Sequence, residues 1–466
     1  MGKQNSSMFS GKTVVIMGLG KSTLALTKLL HNRGAKVKVS EINPKDHLVE
    51  AANELSLLQP EVEAEFGRHS APFFEGADYV VVSPSVRMDT KPLDEVKARG
   101  TPIFSDIEMV LSEVDAPVIA FAGTEGKTTV AHLVRAFLQE SGKKAFFCGD
   151  HGEALANYLL NDEKADFILL ELSVHQLENL QNIRPHIAVL TSMQPPFPER
   201  FARVEDYARA MLNLVKNLNE KSFLVYNFRD PNLRNVAVQS TAQKRVFRRK
   251  NPIELGAEIA QKYKGTYLNS VNELVWTENG TKEIYNLRNF NMFGFHNKDN
   301  LMAALIVAKL AGVPKEKIQR VIDGFQGVPH RLEFIKKKGG VKLVNDSRSV
   351  NVDGLRRALE SFSTEPVILI AGGRDAQNDF TPLADIVKKR VKTMVLVGEA
   401  KEHINRCVGD FSETFLVGTF EEAILLSYQK SREGDIILLS PGCESYDMFV
   451  SYEERGNYFR KYVENL

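Results

Sequence analysis

Short apolar runs alternate along the chain with turn residues and with helical stretches of mixed polarity. Val14–Gly18 reads VVIMG, a buried strand, and Thr23–Arg33 reads as a helix stopped by Gly34. Val37–Glu41 and Tyr79–Pro84 are further strands with polar ends. Apolar runs of this length set between helical periods predict parallel βαβ units. The pattern restarts after Ala116-Pro117 with VIAFAG, a helix over about Lys127–Ser141 and a strand in Phe167–Ser173. It restarts again after Gly327-Val328-Pro329, with strands in Lys342–Asp346, Val367–Gly373, Thr393–Gly398 and Asp435–Gly442. The expectation is an α/β chain of three domains, at residues 1–116, 117–327 and 328–466. The length of 466 residues suits three domains of roughly 100–200 residues each. In open α/β sheets, ligands sit at the carboxyl ends of the strands.

Composition changes this picture by exclusion. Hydrophobic residues at 43% and charged residues at 26% exclude a disordered or collagen-like chain. Lys+Arg at 60 against Asp+Glu at 59 gives no global reason to expect nucleic acid. Cys148, Cys407 and Cys443 are too scattered for a disulfide framework or a zinc knuckle. No apolar run reaches the ~18 residues of a membrane helix, and the start MGKQNSSMFSGK has no signal-peptide core. A cytoplasmic globular protein without membrane insertion is expected.

The clearest chemical signal is Gly123-Thr124-Glu125-Gly126-Lys127-Thr128-Thr129, set between a strand and a helix. Glycines let backbone N–H groups curl around phosphate, and the helix N-terminus adds a favourable dipole. Lys127 would reach outer phosphates and Thr128 would hold Mg²⁺. The eight-residue P-loop spacing requires Gly at 121, where Phe121 stands, so this is a shorter variant. The bland alternative is a glycine turn with an exposed Lys. Glu171, ending the strand FILLE, is placed to act as a Mg²⁺-binding acid. Gly18-Leu19-Gly20-Lys21-Ser22-Thr23 also joins a strand to a helix, with Glu41 ending the next strand. That resembles a dinucleotide fingerprint in which Thr23 replaces the third glycine, and a plain structural turn is the alternative. An oxidoreductase reading has this loop alone in its favour, and the GKTT loop opposes it.

These residues, with ELSVHQLE (Glu171–Glu178), GFHNKDN (Gly294–Asn300), GVPHRLE (Gly327–Glu333), NDS (Asn345–Ser347), AGGRD and DF (within Ala371–Phe380) and LSPGCESYDMF (Leu439–Phe449), resemble the Mur ligases, most closely their D-glutamate-adding members. The resemblance covers nearly the whole length. It implies a Rossmann-like UDP-binding domain, a central P-loop-type ATPase domain and a C-terminal Rossmann-like domain. It further implies ATP and Mg²⁺ as cofactors, a UDP-sugar peptide precursor and an amino acid as partners, a monomer, and amide formation through an acyl phosphate.

Carried over residue by residue, the resemblance places ATP at Gly123, Thr124, Glu125, Gly126, Lys127, Thr128, Thr129, Asn297, Asn300, Arg331 and Asp346. Thr128 and Glu171 hold Mg²⁺, and Lys127, Glu171 and Arg331 are the catalytic set. Lys21, Ser22, Glu41, Ser83 and Asp150 face the UDP-substrate, and Arg348, Ser445 and Tyr452 the amino acid. Asn297 and Asn300 could equally cap a helix, and His330 could be a satisfied structural histidine.

The pattern breaks in one region. Where the family has N-x-T-P-D-H-L-D-R, Ser192–Arg200 reads SMQPPFPER, so Phe197 stands for the metal-associated histidine. Met211 stands for the lysine that becomes carbamylated and binds a second Mg²⁺. A thioether is a poor ligand for a hard cation. Val350 replaces a Thr, Ala376 and Arg348 replace lysines, Tyr452 a Phe, Ser85 a Gly, and Asp150 an Asn near the muramoyl group. Two readings stand beside the intact ligase: an ATP-binding pseudo-ligase that senses or scaffolds, and a ligase with an altered acceptor.

Overall fold

The computed structural model describes residues 9–194, 199–201, 203–292, 294–362 and 364–466. The chain divides into two compact units. The first comprises residues through Tyr285 together with Asn300–Ile318, and the second comprises Asn286–Asp299 with Gln319–Leu466. Among the described residues the first unit carries two sheets and the second carries one.

The N-terminal sheet has five parallel strands in the spatial order Glu63–Phe66, Lys36–Glu41, Thr13–Met17, Tyr79–Val82 and Ile103–Ser105. Val14, Val15, Ile16 and Met17 are all fully buried. That burial on both faces explains why a parallel strand reads as an unbroken apolar run. The strand order reverses direction beside Thr13–Met17, so the loops after Met17 and Val82 flank the switch point where open sheets bind ligands.

The following helix spans Lys21–Asn32, two residues earlier than the periodicity predicts. Thr23 causes the early start. Its Oγ1 accepts from Gly20 N at 2.9 Å and donates to Gly18 O at 2.8 Å, closing the first turn from the third helical position. The residue that spoils the glycine fingerprint is therefore a cap.

The second sheet of this unit runs Thr281–Tyr285, Leu274–Glu278, Gly265–Leu268, Gln243–Arg248, Phe223–Asn227, Ile187–Leu190, Val118–Ala122, Phe167–Glu171 and Ala145–Gly149. The first three form an antiparallel meander, and the remaining pairs are parallel. Val118–Ala122 lies between Ile187–Leu190 and Phe167–Glu171, so the phosphate loop leaves this sheet's own switch point. The strand predicted to reach Ser173 stops at Glu171. Ser173 instead caps the helix Val174–Asn179, accepting from Gln176 N at 3.3 Å while Gln176 reaches back.

The second unit's sheet runs Glu333–Lys338, Val341–Asn345, Ile436–Leu439, Val367–Gly372, Val391–Val397 and Glu413–Leu416, antiparallel only at its first pair. Its loops are fastened by two buried charged groups. Arg455 donates from Nε to Ser347 Oγ at 3.0 Å and from Nη2 to Ser347 O at 2.9 Å and Cys443 O at 3.0 Å. Asp346 accepts from Ser349 Oγ at 2.6 Å, Ser440 Oγ at 2.8 Å and Leu332 N at 3.0 Å. Burial nevertheless outweighs these donors and pushes the Asp346 carboxyl from its ordinary 3.8 up to about 6.

A carboxyl raised on folding favours the native state while protonated, and that advantage is lost as pH climbs through its folded value. Asp346 should therefore remove on the order of 3 kcal/mol of stability between about pH 4 and pH 6. Urea denaturation of wild type and Asp346→Asn across this window is the check. The asparagine variant should lack that loss, and parallel pH profiles would refute the assignment.

Candidate functional site

The phosphate loop starts where Val118–Ala122 ends and closes into the helix Lys127–Glu140. Gly123 adopts φ +145°, and a Cβ there would meet Thr191 Oγ1 and, at 2.9 Å, the backbone of Ser192. The loop is held by the segment after the neighbouring strand. Thr124 N donates to Ser192 O at 2.9 Å, Glu125 N donates to Ser192 Oγ at 2.9 Å, and Thr191 Oγ1 donates to Glu125 O. Asp230 in turn accepts from Met193 N at 2.7 Å. Thr191, Ser192 and Asp230 are supporting residues that sequence reading missed. Thr191 and Ser192 follow the strand Ile187–Leu190 and Asp230 follows Phe223–Asn227, so none of them lies near the loop in sequence.

Within this frame Lys127 Nζ donates to Gly123 O at 3.0 Å, which folds the ammonium back over the loop at the helix N-terminus. Thr128 Oγ1 donates to Glu171 Oε1 at 2.8 Å, and both residues are buried. A hydroxyl and a carboxylate side by side at a phosphate loop are the hard oxygen donors Mg²⁺ takes, so the residues present fit that ion. Thr129 is buried one position on. Asn300 Oδ1 reaches the place where a side chain at position 126 would stand, which puts its amide against the loop. Asn297 is buried at the start of its helix, its N–H bonded to Gly294 O at 3.2 Å.

The residues expected at the UDP-substrate gather partly around the first switch point. Glu41 is buried and committed, accepting from Leu19 N at 2.6 Å and from Asn43 N and Nδ2 at 2.8 Å each. It clamps the glycine loop to the end of its strand. Ser22 donates to the buried Asp106, and Ser83 Oγ lies 3.0 Å from Ser85 Oγ. Lys21 Nζ donates to Gly152 O at 3.3 Å, while Asp150 N donates to Glu171 O at 2.9 Å, which brings the turn after Gly149 to the same end of the central sheet.

Arg200, which keeps the register of the altered motif, donates to Pro84 O and Val86 O at 3.3 Å each and pairs with Glu178 at 2.5 Å. His175 packs on Phe201 with ring centroids 5.5 Å apart. Burial, then the Arg200 charge, hold its imidazole below the ordinary value. Phe197 and the prolines Pro195, Pro196 and Pro198 lie outside the described residues. Met211 is fully buried in the apolar cluster that also contains Phe201, Tyr207, Ala210 and Leu214.

In the second unit, the Arg348 guanidinium lies 5.7 Å from the Tyr452 ring centre, so two of the amino-acid candidates meet. Ser445 is fully buried, and its Oγ has no hydrogen-bond partner among the described residues. Arg331 follows His330, whose Nδ1 lies 3.0 Å from Asn345 Nδ2 and whose N–H donates to Glu333 Oε2 at 3.0 Å. Asn345 thus holds one ring nitrogen of His330 and Glu333 holds its backbone N–H, and burial holds its imidazole below the ordinary value. Val350 is half-buried and Ala376 exposed, and neither adds a charge to this end of the sheet.

Three comparisons bear on this arrangement. Residues 12–105 match the Mur ligase MurD-like N-terminal domain, residues 121–308 the Mur ligase middle domain, and residues 330–443 the Mur ligase glutamate ligase domain. The chain is 39% identical to the UDP-N-acetylmuramoylalanine–D-glutamate ligase of Bdellovibrio bacteriovorus, over 97% of both chains. It is 35% identical to the enzyme of the same name from Geotalea uraniireducens, over 98% of both. Among solved structures, UDP-N-acetylmuramate–alanine ligase from Thermotoga maritima shares the fold, with a TM-score of 0.54 at 16% identity over 97% of this chain and 99% of that one. Because all three domain types occur in order and the identity extends along almost the entire chain, the protein belongs to the Mur ligase family and is an ATP-dependent ligase.

Proposed function

We propose that this chain joins D-glutamate to UDP-N-acetylmuramoyl-L-alanine in cytoplasmic peptidoglycan-precursor synthesis. The observation that carries the reading is the buried Thr128–Glu171 pair beneath the Lys127 loop. It is supported by relatives named for that reaction. No helix among the described residues is long and apolar enough to cross a membrane, in keeping with a soluble substrate.

The chemistry moves a phosphoryl group from ATP to a carboxylate and then replaces phosphate by an amine. Lys127 and the loop N–H groups bind and orient the phosphates. Thr128 and Glu171 would hold Mg²⁺, which when bound supplies positive charge against the transferring phosphate. We assign Gly123, Thr124, Glu125, Gly126, Thr129, Asn297, Asn300, Arg331 and Asp346 to the nucleotide. Lys21, Ser22, Ser83 and Asp150 are assigned to the UDP-substrate, with Glu41 holding the loop that leads into Lys21 and Ser22. Arg348, Tyr452 and the buried Ser445 hydroxyl are assigned to the amino acid. We place the divisions between the three domains at 116 and 327.

The buried Met211 favours a second reading, a nucleotide-binding homologue with little or no ligation, because the position named for a carbamylated lysine is here part of the apolar core. Phosphate release with UDP-N-acetylmuramoyl-L-alanine and D-glutamate, paired with mass detection of the dipeptide product, separates the two. Product formation that needs both substrates supports the ligase. Phosphate without dipeptide means a different acceptor, and ATP binding without release favours the second reading.

Two variants sharpen the picture. Lys127→Ala removes a charge-assisted contact worth roughly 1.5–3 kcal/mol, so ATP affinity should fall about tenfold or more by calorimetry. Unchanged affinity would exclude Lys127 from the site. Met211→Lys should not raise activity and should destabilise the protein by roughly 3–5 kcal/mol, because it buries an uncompensated ammonium. Equal urea midpoints for Met211→Lys and wild type would show that the site is open to charge after all.

A further inference from the structure

Asp150, His151 and Glu171 each offer a ligand atom, and these atoms lie within 4.8 Å of one another. We propose that the three residues form a binding site for a divalent transition-metal ion at the carboxyl end of the central sheet, sharing Glu171 with the Thr128–Glu171 pair and adding Asp150 and His151 as donors.

The backbone builds this cluster. Gly149 pairs with Glu171 in the parallel ladder at φ +104°, where a Cβ would run into the Glu171 carbonyl, so only glycine lets the two chains approach so closely. The turn that follows is fixed at several points. Asp150 N donates to Glu171 O at 2.9 Å, Gly149 N to Glu153 O at 3.0 Å and Glu153 N to Phe147 O at 3.1 Å, while Lys21 Nζ caps Gly152 O at 3.3 Å. The turn therefore delivers the Asp150 and His151 side chains to the strand end that carries Glu171. Glu171 itself is held by Thr128 at 2.8 Å and is fully buried, whereas the Asp150 and His151 side chains, 3.9 Å apart, keep 29% and 33% exposure.

Donor atoms about 2.1 Å from one ion stand about 3–3.5 Å apart. The ligand atoms of the three residues lie within 4.8 Å of one another, close to that spacing. The donor set is one imidazole and two carboxylates. Imidazole suits transition ions, and carboxylate alone suits Mg²⁺ or Ca²⁺. The mixture selects Mn²⁺, Co²⁺ or Zn²⁺ over Mg²⁺. It also places a cation between two carboxylates that would otherwise repel each other. The ion's service to catalysis, as positive charge beside the phosphate loop when Met211 supplies no ligand, rests on the ligase reading above. Its binding does not.

The test uses the full chain without nucleotide. Free Mn²⁺ is followed by electron paramagnetic resonance during titration, and Co²⁺ by its visible absorption. One ion per chain is expected. Affinity should fall tenfold or more in Asp150→Asn and in His151→Gln, and the Co²⁺ spectrum should change when the imidazole is removed. Circular dichroism and retained ATP binding establish that both variants are folded. Absence of nucleotide-free binding in wild type would overturn the proposal, as would equal affinity in wild type and both variants. Binding only in the presence of ATP would also overturn it, because the ion would then belong to the nucleotide. Ion binding without any ATP affinity would uphold this site and remove the ligase reading.

Discussion

The hydrogen bond from Thr128 to Glu171, 2.8 Å long and fully enclosed, is the contact on which the rest of the centre depends. It joins the helix leaving one parallel strand to the last residue of the next. Neighbouring strands lie about 4.8 Å apart, so a side chain at the end of one can meet the first turn of a helix that follows the other. A carboxylate buried at that point faces the first turn, the positive end, of the helix Lys127–Glu140. The local field stabilises it there. The same field attracts anionic phosphate above it, and the carboxylate then offers an oxygen to whatever cation accompanies that phosphate. Displacing either strand end would separate all of these charges at once.

Such a junction tolerates little movement. Thr191 and Ser192 hold the loop from the end of the neighbouring strand, and Asp230 anchors their segment at Met193 N, so the phosphate-binding backbone is fixed before any ligand arrives. Preorganised N–H groups stabilise charge without the cost of reorienting during reaction. The second unit uses a comparable device in Arg455, whose buried guanidinium holds the loops after two of its strands together.

Much of this was legible in the sequence. Buried parallel strands announce themselves as apolar runs, which is why Val14–Met17, Val118–Ala122 and Val367–Gly372 were found at nearly their true limits. The Gly123–Thr129 loop was legible because glycine, lysine and threonine must occur in a fixed order to wrap a phosphate. The remainder depended on long-range geometry. Nothing in the stretch around Thr191 or Asp230 points to a loop that lies about 70 or 100 residues earlier in the chain. Thr23 reads as a defect in a glycine fingerprint until its hydroxyl is seen closing the helix. Glu41 reads only as a residue facing the UDP-substrate until its two oxygens are found bonded to Leu19 and Asn43. His330 is ambiguous for the same reason, since only the fold shows that Asn345 reaches its ring and Glu333 its backbone N–H.

The altered residues follow a physical logic of their own. Met211 lies on the apolar face of the helix Val204–Val215, in line with Tyr207, Ala210 and Leu214, all buried. Once a position joins such a face, packing opposes a return to charge, because an ammonium there would lose its hydration without gaining a partner. A centre that handles phosphate still needs positive charge, and the charge must stay near the strand ends where the phosphate is held. A cation held by the turn after Gly149 would meet that need. The turn ends on the same strand edge as Glu171, its backbone is fixed, and its side chains are partly exposed. Charge-bearing groups can thus shift from one element to another while the strand end that organises them stays in place. Reading function only from the positions where relatives keep their ligands misses such a shift, whereas reading it from the strand end does not.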